Sequence, residues 1–463
     1  MSAAVIDLDL SATLAPFADR LPTRKLVLRR PLLDAVAAEL APLMDLTTTL
    51  VLADAITWRI AGERAAASLT AAGHTVIIDI VAPAEGEETP VCDEAKIAAF
   101  VERLAAHRPT TVLAVGAGTI NDIAKMGAYK AGLPYAVVAT APSMNGYTSA
   151  IAAILTDGVK TTQPCTPPVV CLADLDVMAN APYRMIASGL GDLISKPVSN
   201  ADWRLSYRLL GSEYSREAMV LIDAGAQLLE GTAPLLPGRD PEAVGRLTGT
   251  LCLSGLAMSV AGSSAPASGG EHLISHYLDM THYAFGESND FHGCQVGVGT
   301  ITTAALYEHL AALDPASIDI EAILAGRPDW ASREASLIAH FGPLADAVLP
   351  HARATHASDE ELRARLTLLV AEWPSIIADV RETLRSPASI RDELLAADCP
   401  VTFADIDVTD ARARRSIIHG RDIRARYTIL HLAGELGLLE AWADDVLRTW
   451  HGVPTDDADA TVR

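Results

Sequence analysis

Lysine is scarce in this chain. Only six of its 36 basic residues are lysine: Lys25, Lys96, Lys125, Lys130, Lys160 and Lys196. Basic residues as a whole are outnumbered by 58 acidic ones, giving a formal net charge of −22 at pH 7. Such a field repels phosphodiester backbones and anionic bilayers, so neither nucleic acid nor membrane insertion is expected. It also repels small anionic substrates, unless local cations and backbone N–H groups reverse the potential inside a cleft. No uninterrupted apolar run approaches the roughly 18 residues of a membrane-spanning helix. The N-terminal stretch MSAAVIDLDLSATLAP has acids where a secretory signal has a basic segment, so a cytoplasmic protein is expected. No CxxC pair occurs among Cys92, Cys165, Cys171, Cys252, Cys294 and Cys399, which read as free thiols in a reducing compartment.

What is present divides into two parts. A chain of 463 residues exceeds one ordinary core, and two domains are expected. Over residues 1–181, short β-rich apolar runs alternate with Ala-rich helical stretches. Strands are predicted over 47–55, 74–81, 110–118, 134–140 and 169–179, with helices over 57–73, 93–107 and 120–132. That alternation predicts an α/β domain with a parallel sheet. Over 182–463 helical periodicity dominates and strand signals are few, so this part reads as all-helical.

Two strand-end turns attract attention. In LAVGAGTINDIAK a strand runs through Gly116 and Gly118 into a helix carrying Asp122 and Lys125. Glycines admit a close anion, and a helix N-terminus adds partial positive charge. The spacing is not that of the G-x-G-x-x-G fingerprint. The next strand ends in TAPSMNGYTS, rich in hydroxyls and centred on Asn145. Ligands of open parallel sheets bind outside the carboxyl ends of the strands, so the two turns together predict a nucleotide crevice.

The helical part holds a histidine cluster. In GGEHLISHYLDM the i,i+4 spacing puts His272 and His276 on one helix face, and His292 opens HGCQVGVGT. Two imidazoles and a carboxylate form an open site for a catalytic divalent metal. Spacing alone does not select the carboxylate; GLGDLISKPVSNADW places Asp192 near a helix start.

These segments, in this order, resemble the sn-glycerol-1-phosphate dehydrogenase family, within the iron-containing alcohol dehydrogenase and glycerol dehydrogenase superfamily. DAITWRIAG and IRARYTILHLAGELG extend the likeness from about residue 45 to 445. The resemblance implies a nucleotide domain, a helical domain, and an active site in the cleft between them. It implies one divalent metal (Zn²⁺, Ni²⁺ or Fe²⁺) on Asp192, His272 and His292. It implies NAD(H) or NADP(H) contacts at Asp54, Gly116, Gly118, Thr119, Ile120, Asn121, Asp122, Thr140, Ala141, Pro142, Ser143 and Ser149.

Substrate contacts are implied at Asn145, Asp192 and His276, with His276 or a water as proton donor. Lys125, Lys160 or Lys196 would neutralise a substrate phosphate, and Lys125 is the candidate catalytic lysine. The implied reaction is reduction of glycerone phosphate to sn-glycerol 1-phosphate, or of a related anionic polyol phosphate or phosphonate. Glu85, Glu87 and Glu88 at the end of the second strand disfavour a ribose 2′-phosphate and favour NADH. A dehydroquinate synthase-like lyase, using NAD catalytically, is the alternative. Self-association into a homo-oligomer is left open.

The sequence departs from the family's pattern in two places. Asn145 stands where Asp is usual. Cys294 and Gln295 follow the His-Gly pair, where a small or acidic residue and then Lys are common. Asn145 drops a charge and gains two N–H donors, which predicts tolerance of a more negative or differently polar substrate.

Overall fold

The computed structural model describes residues 6–156 and 159–453. Seven strands make its main sheet: β1 (Ile6–Asp9), β2 (Lys25–Arg30), β3 (Thr48–Asp54), β4 (Thr75–Val81), β5 (Thr111–Gly116), β6 (Tyr135–Ala139) and β9 (Val170–Asp174). A separate antiparallel hairpin joins β7 (Ile151–Thr156) to β8 (Val159–Pro164). The order across the main sheet is β1-β2-β9-β6-β5-β3-β4. All neighbours pair in parallel except β1 with β2. The five strands expected from the sequence are β3, β4, β5, β6 and β9, which lie together in the sheet. The last of them ends at Asp174, short of the expected residue 179, because Asp174 caps a helix over Leu175–Ala179. Strand β2, not foreseen, extends the parallel part to six strands. Strands β5, β6 and β9 are buried at every residue, which is why they read as unbroken apolar runs.

Helices follow the strands as the alternation predicts. The first used below is α1 (Glu94–His107), and α2 (Gly118–Ala131) follows β5 directly. Beyond β9 come α3 (Tyr183–Ile194), α4 (Lys196–Leu210), α5 (Arg216–Leu229), α6 (Pro241–Ala261), α7 (Gly270–Phe285) and α8 (His292–Ala312). Further helices continue to His451.

The chain divides into two compact units. The first runs to Leu193 and takes in Arg216–Ser264; the second comprises Ile194–Ser215 and the chain from Ala265 onward. The division therefore differs from a boundary at residue 181. Helices α3, α5 and α6 belong with the sheet. Helix α6 explains this: buried on nearly every side, it has no polar face to turn to water. It packs on β1 and β2, where Leu8 and Leu28 lie against its glycines. Among the described residues α6 is the one helix long and apolar enough to cross a membrane, and it is a core helix.

Candidate active site

In the first unit the two strand-end turns lie side by side. Gly116 is in register with Ala139, and the Thr140 N–H donates to the Gly116 carbonyl at 3.2 Å. Gly118 to Asp122 form the first turn of α2, whose N-cap Ala117 supplies no side-chain oxygen to the open N–H groups. Thr140 to Ser143 follow β6, and Asp54 ends β3, the neighbour of β5.

Several of these residues serve the backbone. Asp54 caps the next helix, accepting from the Ile56 and Thr57 N–H groups at 2.8 and 2.7 Å. Asp122 accepts from the Ala153 N–H at 3.0 Å and so ties α2 to β7. Ser149 is fully buried, its hydroxyl 3.1 Å from the carbonyls of Gly146 and Ile151. Gly116 admits no Cβ, because Ile120 Cβ would be 2.5 Å away. Asn121 is different. It is fully buried and donates to Asp122 Oδ1, but its own Oδ1 finds no partner among the described residues. An unpaired buried acceptor at a bare helix N-terminus beside a second strand end suits a ligand carrying both hydroxyls and phosphates.

The loop 140–150 is fastened from every side, and this accounts for its polar composition. Tyr147 O–H donates to the Ala141 carbonyl at 2.8 Å, and Ser188 O–H to the Ser143 carbonyl at 2.8 Å. Thr148 O–H donates to the Cys252 carbonyl at 2.6 Å. Gly255 on α6 lets the loop come close, since a Cβ there would lie 2.4 Å from the Asn145 carbonyl oxygen.

Lys125 is part of this fastening. Its side chain is fully buried, and its ammonium donates to the carbonyls of Gly146 at 2.6 Å and Ile151 at 2.9 Å. Asp122 Oδ1 is 3.3 Å away. Lys125 thereby ties α2 to the loop and to β7. The side chain of Lys160 lies outside the described residues. Lys196 is buried at the start of α4, donating to the Ala267 carbonyl at 3.0 Å.

Asn145 meets Asp192 directly. Its backbone N–H donates to Asp192 Oδ2 at 2.9 Å, and its Nδ2 donates to Asp192 Oδ1 at 3.2 Å. The other Nδ2 proton reaches Ser254 Oγ at 3.4 Å. Both donors noted in the sequence are therefore engaged inside the protein. Replacing Asn145 by Asp would set a second carboxylate at hydrogen-bond distance from the fully buried Asp192. We expect Asn145→Asp to lose about 1–3 kcal/mol of stability, read as a lower denaturation midpoint of the metal-free chain at pH 7. An unchanged midpoint would show that the contact contributes nothing.

In the second unit three imidazoles converge. Ring centroids are 5.2 Å apart for His272 and His292, 5.4 Å for His276 and His292, and 6.2 Å for His272 and His276. His272 is buried and the other two are half-buried. Two come from α7 and the third opens α8, a pair of closely packed helices. Asp279, buried one turn beyond His276, was not foreseen. His276, Asp279 and His292 each bring a ligand atom within 4.8 Å of the others. Its i+3 and i+7 spacing from His276 and His272 was the available signal.

The N-terminus of α7 is held by buried carboxylates. Asp202 accepts from the Gly270 N–H, the Ile429 N–H and Tyr307 O–H at 2.6–2.7 Å. Burial, with the Glu271 charge nearby, pushes the Asp202 carboxyl up to about 7. Glu271 Oε1 accepts from the Gly269 N–H at 2.7 Å and lies 2.8 Å from His272 Nδ1. A carboxylate there holds the proton on Nδ1 and leaves the Nε2 lone pair for a cation. This donor set fits a divalent metal.

The comparisons agree with this architecture. The family model described as iron-containing alcohol dehydrogenase matches residues 31–182. Among solved structures, a probable glycerol dehydrogenase from Sinorhizobium meliloti superposes with TM-score 0.58 at 18% identity, covering 91% of this chain and 97% of that one. Glycerol dehydrogenase from Schizosaccharomyces pombe gives 0.58 at 16%, covering 90% and 89%. These share the fold.

Curated relatives are more alike in sequence. Glycerol-1-phosphate dehydrogenase [NAD(P)+] of Halalkalibacterium halodurans is 36% identical over 56% of this chain and 65% of its own length. That of Pyrococcus furiosus is 40% identical over 42% and 55%. The chain thus spans less than two thirds of either relative. It spans 76% of the Bacillus velezensis glycerol-1-phosphate dehydrogenase, at 34% identity over 63% of its own residues. With that extent of likeness, and with the strand-end turns and imidazoles in place, the chain belongs to the glycerol-1-phosphate dehydrogenase family.

Proposed function

We propose that this chain is a metal-dependent NAD(P)H dehydrogenase that reduces glycerone phosphate, or a close anionic analogue, to sn-glycerol 1-phosphate. The observation that carries the reading is the convergence of His272, His276 and His292, with the Glu271 carboxylate on His272 Nδ1. We assign the metal to Asp192, His272 and His292. We assign the dinucleotide to the paired turns after β5 and β6, at Gly116 to Asp122 and Thr140 to Ser143.

When bound, the metal supplies Lewis-acid polarisation of the substrate carbonyl and the reduced nicotinamide supplies the hydride. The chain's own residues do the rest. Asn145 orients Asp192 through two N–H donors. Glu271 holds His272 in one ring orientation. His276, stacked on His292 with ring planes 21° apart, is the proton donor to the reduced substrate oxygen. Lys125, Lys160 or Lys196 neutralises the substrate's phosphate. Glu85 and Glu88, exposed just beyond β4, favour NADH over NADPH. The six cysteines are all buried and none is in a disulfide, which suits a reducing cytoplasm.

The test is NADH oxidation by the full chain reconstituted separately with Zn²⁺, Ni²⁺ and Fe²⁺, across phosphorylated and phosphonylated carbonyl substrates. Glycerone phosphate is expected to be turned over with stoichiometric loss of NADH. Turnover of a sugar-acid phosphate without net cofactor change would instead make the chain a lyase resembling dehydroquinate synthase. Silence toward every phosphorylated ketone with all three metals would overturn the proposal.

A further inference from the structure

Gln295 stands at the position where the sequence departs from the family's pattern, and its surroundings specify a proton. It lies in the first turn of α8 and is 1% exposed. Its Nε2 lies 3.1 Å from the Asp290 carbonyl and also donates to Asn289 Oδ1. A backbone carbonyl can only accept, so the NH₂ end of the carboxamide must face it. Oε1 therefore faces Ser275, whose hydroxyl oxygen is 2.9 Å away. An amide oxygen can also only accept, so the single Ser275 proton goes to Gln295. Ser275 Oγ is in turn 3.0 Å from His292 Nδ1. With its own proton committed, the hydroxyl must accept here, and Nδ1 must carry the hydrogen. A neutral imidazole protonated on Nδ1 has its lone pair on Nε2.

Reversing the amide would aim its oxygen at the Asp290 carbonyl and lose that hydrogen bond. The orientation of one amide thereby sets the tautomer of a histidine two hydrogen bonds away. We propose that Gln295 is a positioning residue: acting through Ser275, it fixes His292 with Nδ1 protonated and Nε2 available to a divalent cation. This inference rests on the reading of His292 as a metal ligand. His272 reaches the same state by a different device, the Glu271 carboxylate, so the two rings are set independently. A lysine at position 295 offers no acceptor, and could not hold the Ser275 proton in this direction.

The test uses full-length protein and two readouts. The first is the ¹⁵N spectrum of the histidine rings in metal-free protein, with the His292 signals assigned by their loss in His292→Gln. The second is Co²⁺ affinity, from competition with a chelator. In the wild type, His292 is expected to show protonated Nδ1 and unprotonated Nε2. Gln295→Met and Ser275→Ala each break the relay. Both should release that tautomer and weaken Co²⁺ binding by about 10- to 100-fold.

An Nε2-protonated His292 in the wild type overturns the proposal. So does an unchanged spectrum and affinity in Gln295→Met, or, if that variant fails to fold, in Ser275→Ala. A wild type that takes up no Co²⁺ overturns the metal reading itself, and with it the purpose assigned to the relay.

Discussion

His272→Ala is expected to empty the metal site and to lower kcat/KM for glycerone phosphate by roughly a thousandfold. The magnitude follows from the several kcal/mol that a Lewis acid contributes to such a reduction, at about 1.4 kcal/mol per decade of rate. The readouts are metal content after dialysis and NADH oxidation in the reconstituted chain. Removing the imidazole also takes a partner from the fully buried Glu271 carboxylate. A stability loss of about 1–3 kcal/mol should accompany the substitution, so circular dichroism must first establish that the variant is folded. Asp279→Asn is the companion measurement, because among the described residues His276, Asp279 and His292 bring ligand atoms within 4.8 Å of one another. If His272→Ala keeps its metal while Asp279→Asn loses it, the ligand set assigned here is wrong.

Gly189→Ala should be the most damaging single methyl in the first unit. A Cβ at position 189 would lie 1.9 Å from the Pro142 carbonyl oxygen and 3.1 Å from Leu251 Cδ1. The first neighbour is backbone and cannot swing aside as a side-chain end can. Either α3 or the loop 140–145 must move, and both carry assigned residues: Asp192 on the helix, Ser143 and Asn145 on the loop. Overpacking of this kind costs about 1–3 kcal/mol. Here it should also raise KM for the dinucleotide, because the strand-end turn is displaced with the loop. Gly326 is the control, since a Cβ there would meet nothing within 4 Å. Alanine there should leave stability and KM close to wild type. Equal behaviour of the two variants in a denaturant titration would mean that the close approach at Gly189 relaxes at little cost.

Periodicity reports which face of an element is buried, and that was enough to place much of this protein. Five of the six parallel strands read as apolar runs from the sequence, because the central ones are covered on both faces. The two strand-end turns and the histidine pair were visible as local spacings. Four strands escaped: β2 and β7 have short apolar runs outside the strand–helix alternation, and the other two have mixed patterns. Strand β1 alternates Ile-Asp-Leu-Asp at the sheet edge, and β8 carries Lys, Thr and Gln in a hairpin of its own. Helices α5 and α6 read as members of the helical part, because helical periodicity does not say what an apolar surface packs on.

Sequence by itself therefore determined the parallel sheet, the helical second part, the family resemblance and the residues to examine. Tertiary structure decided what each of those residues touches. It set the Lys125 ammonium on the carbonyls of Gly146 and Ile151 and turned the donors of Asn145 toward Asp192. It gave Gln295 a hydrogen-bonded path to His292. The reason is the same in each case. A side chain's chemistry is written in the sequence, but the partner that uses a given donor or acceptor is chosen by three-dimensional proximity, often across many residues of chain.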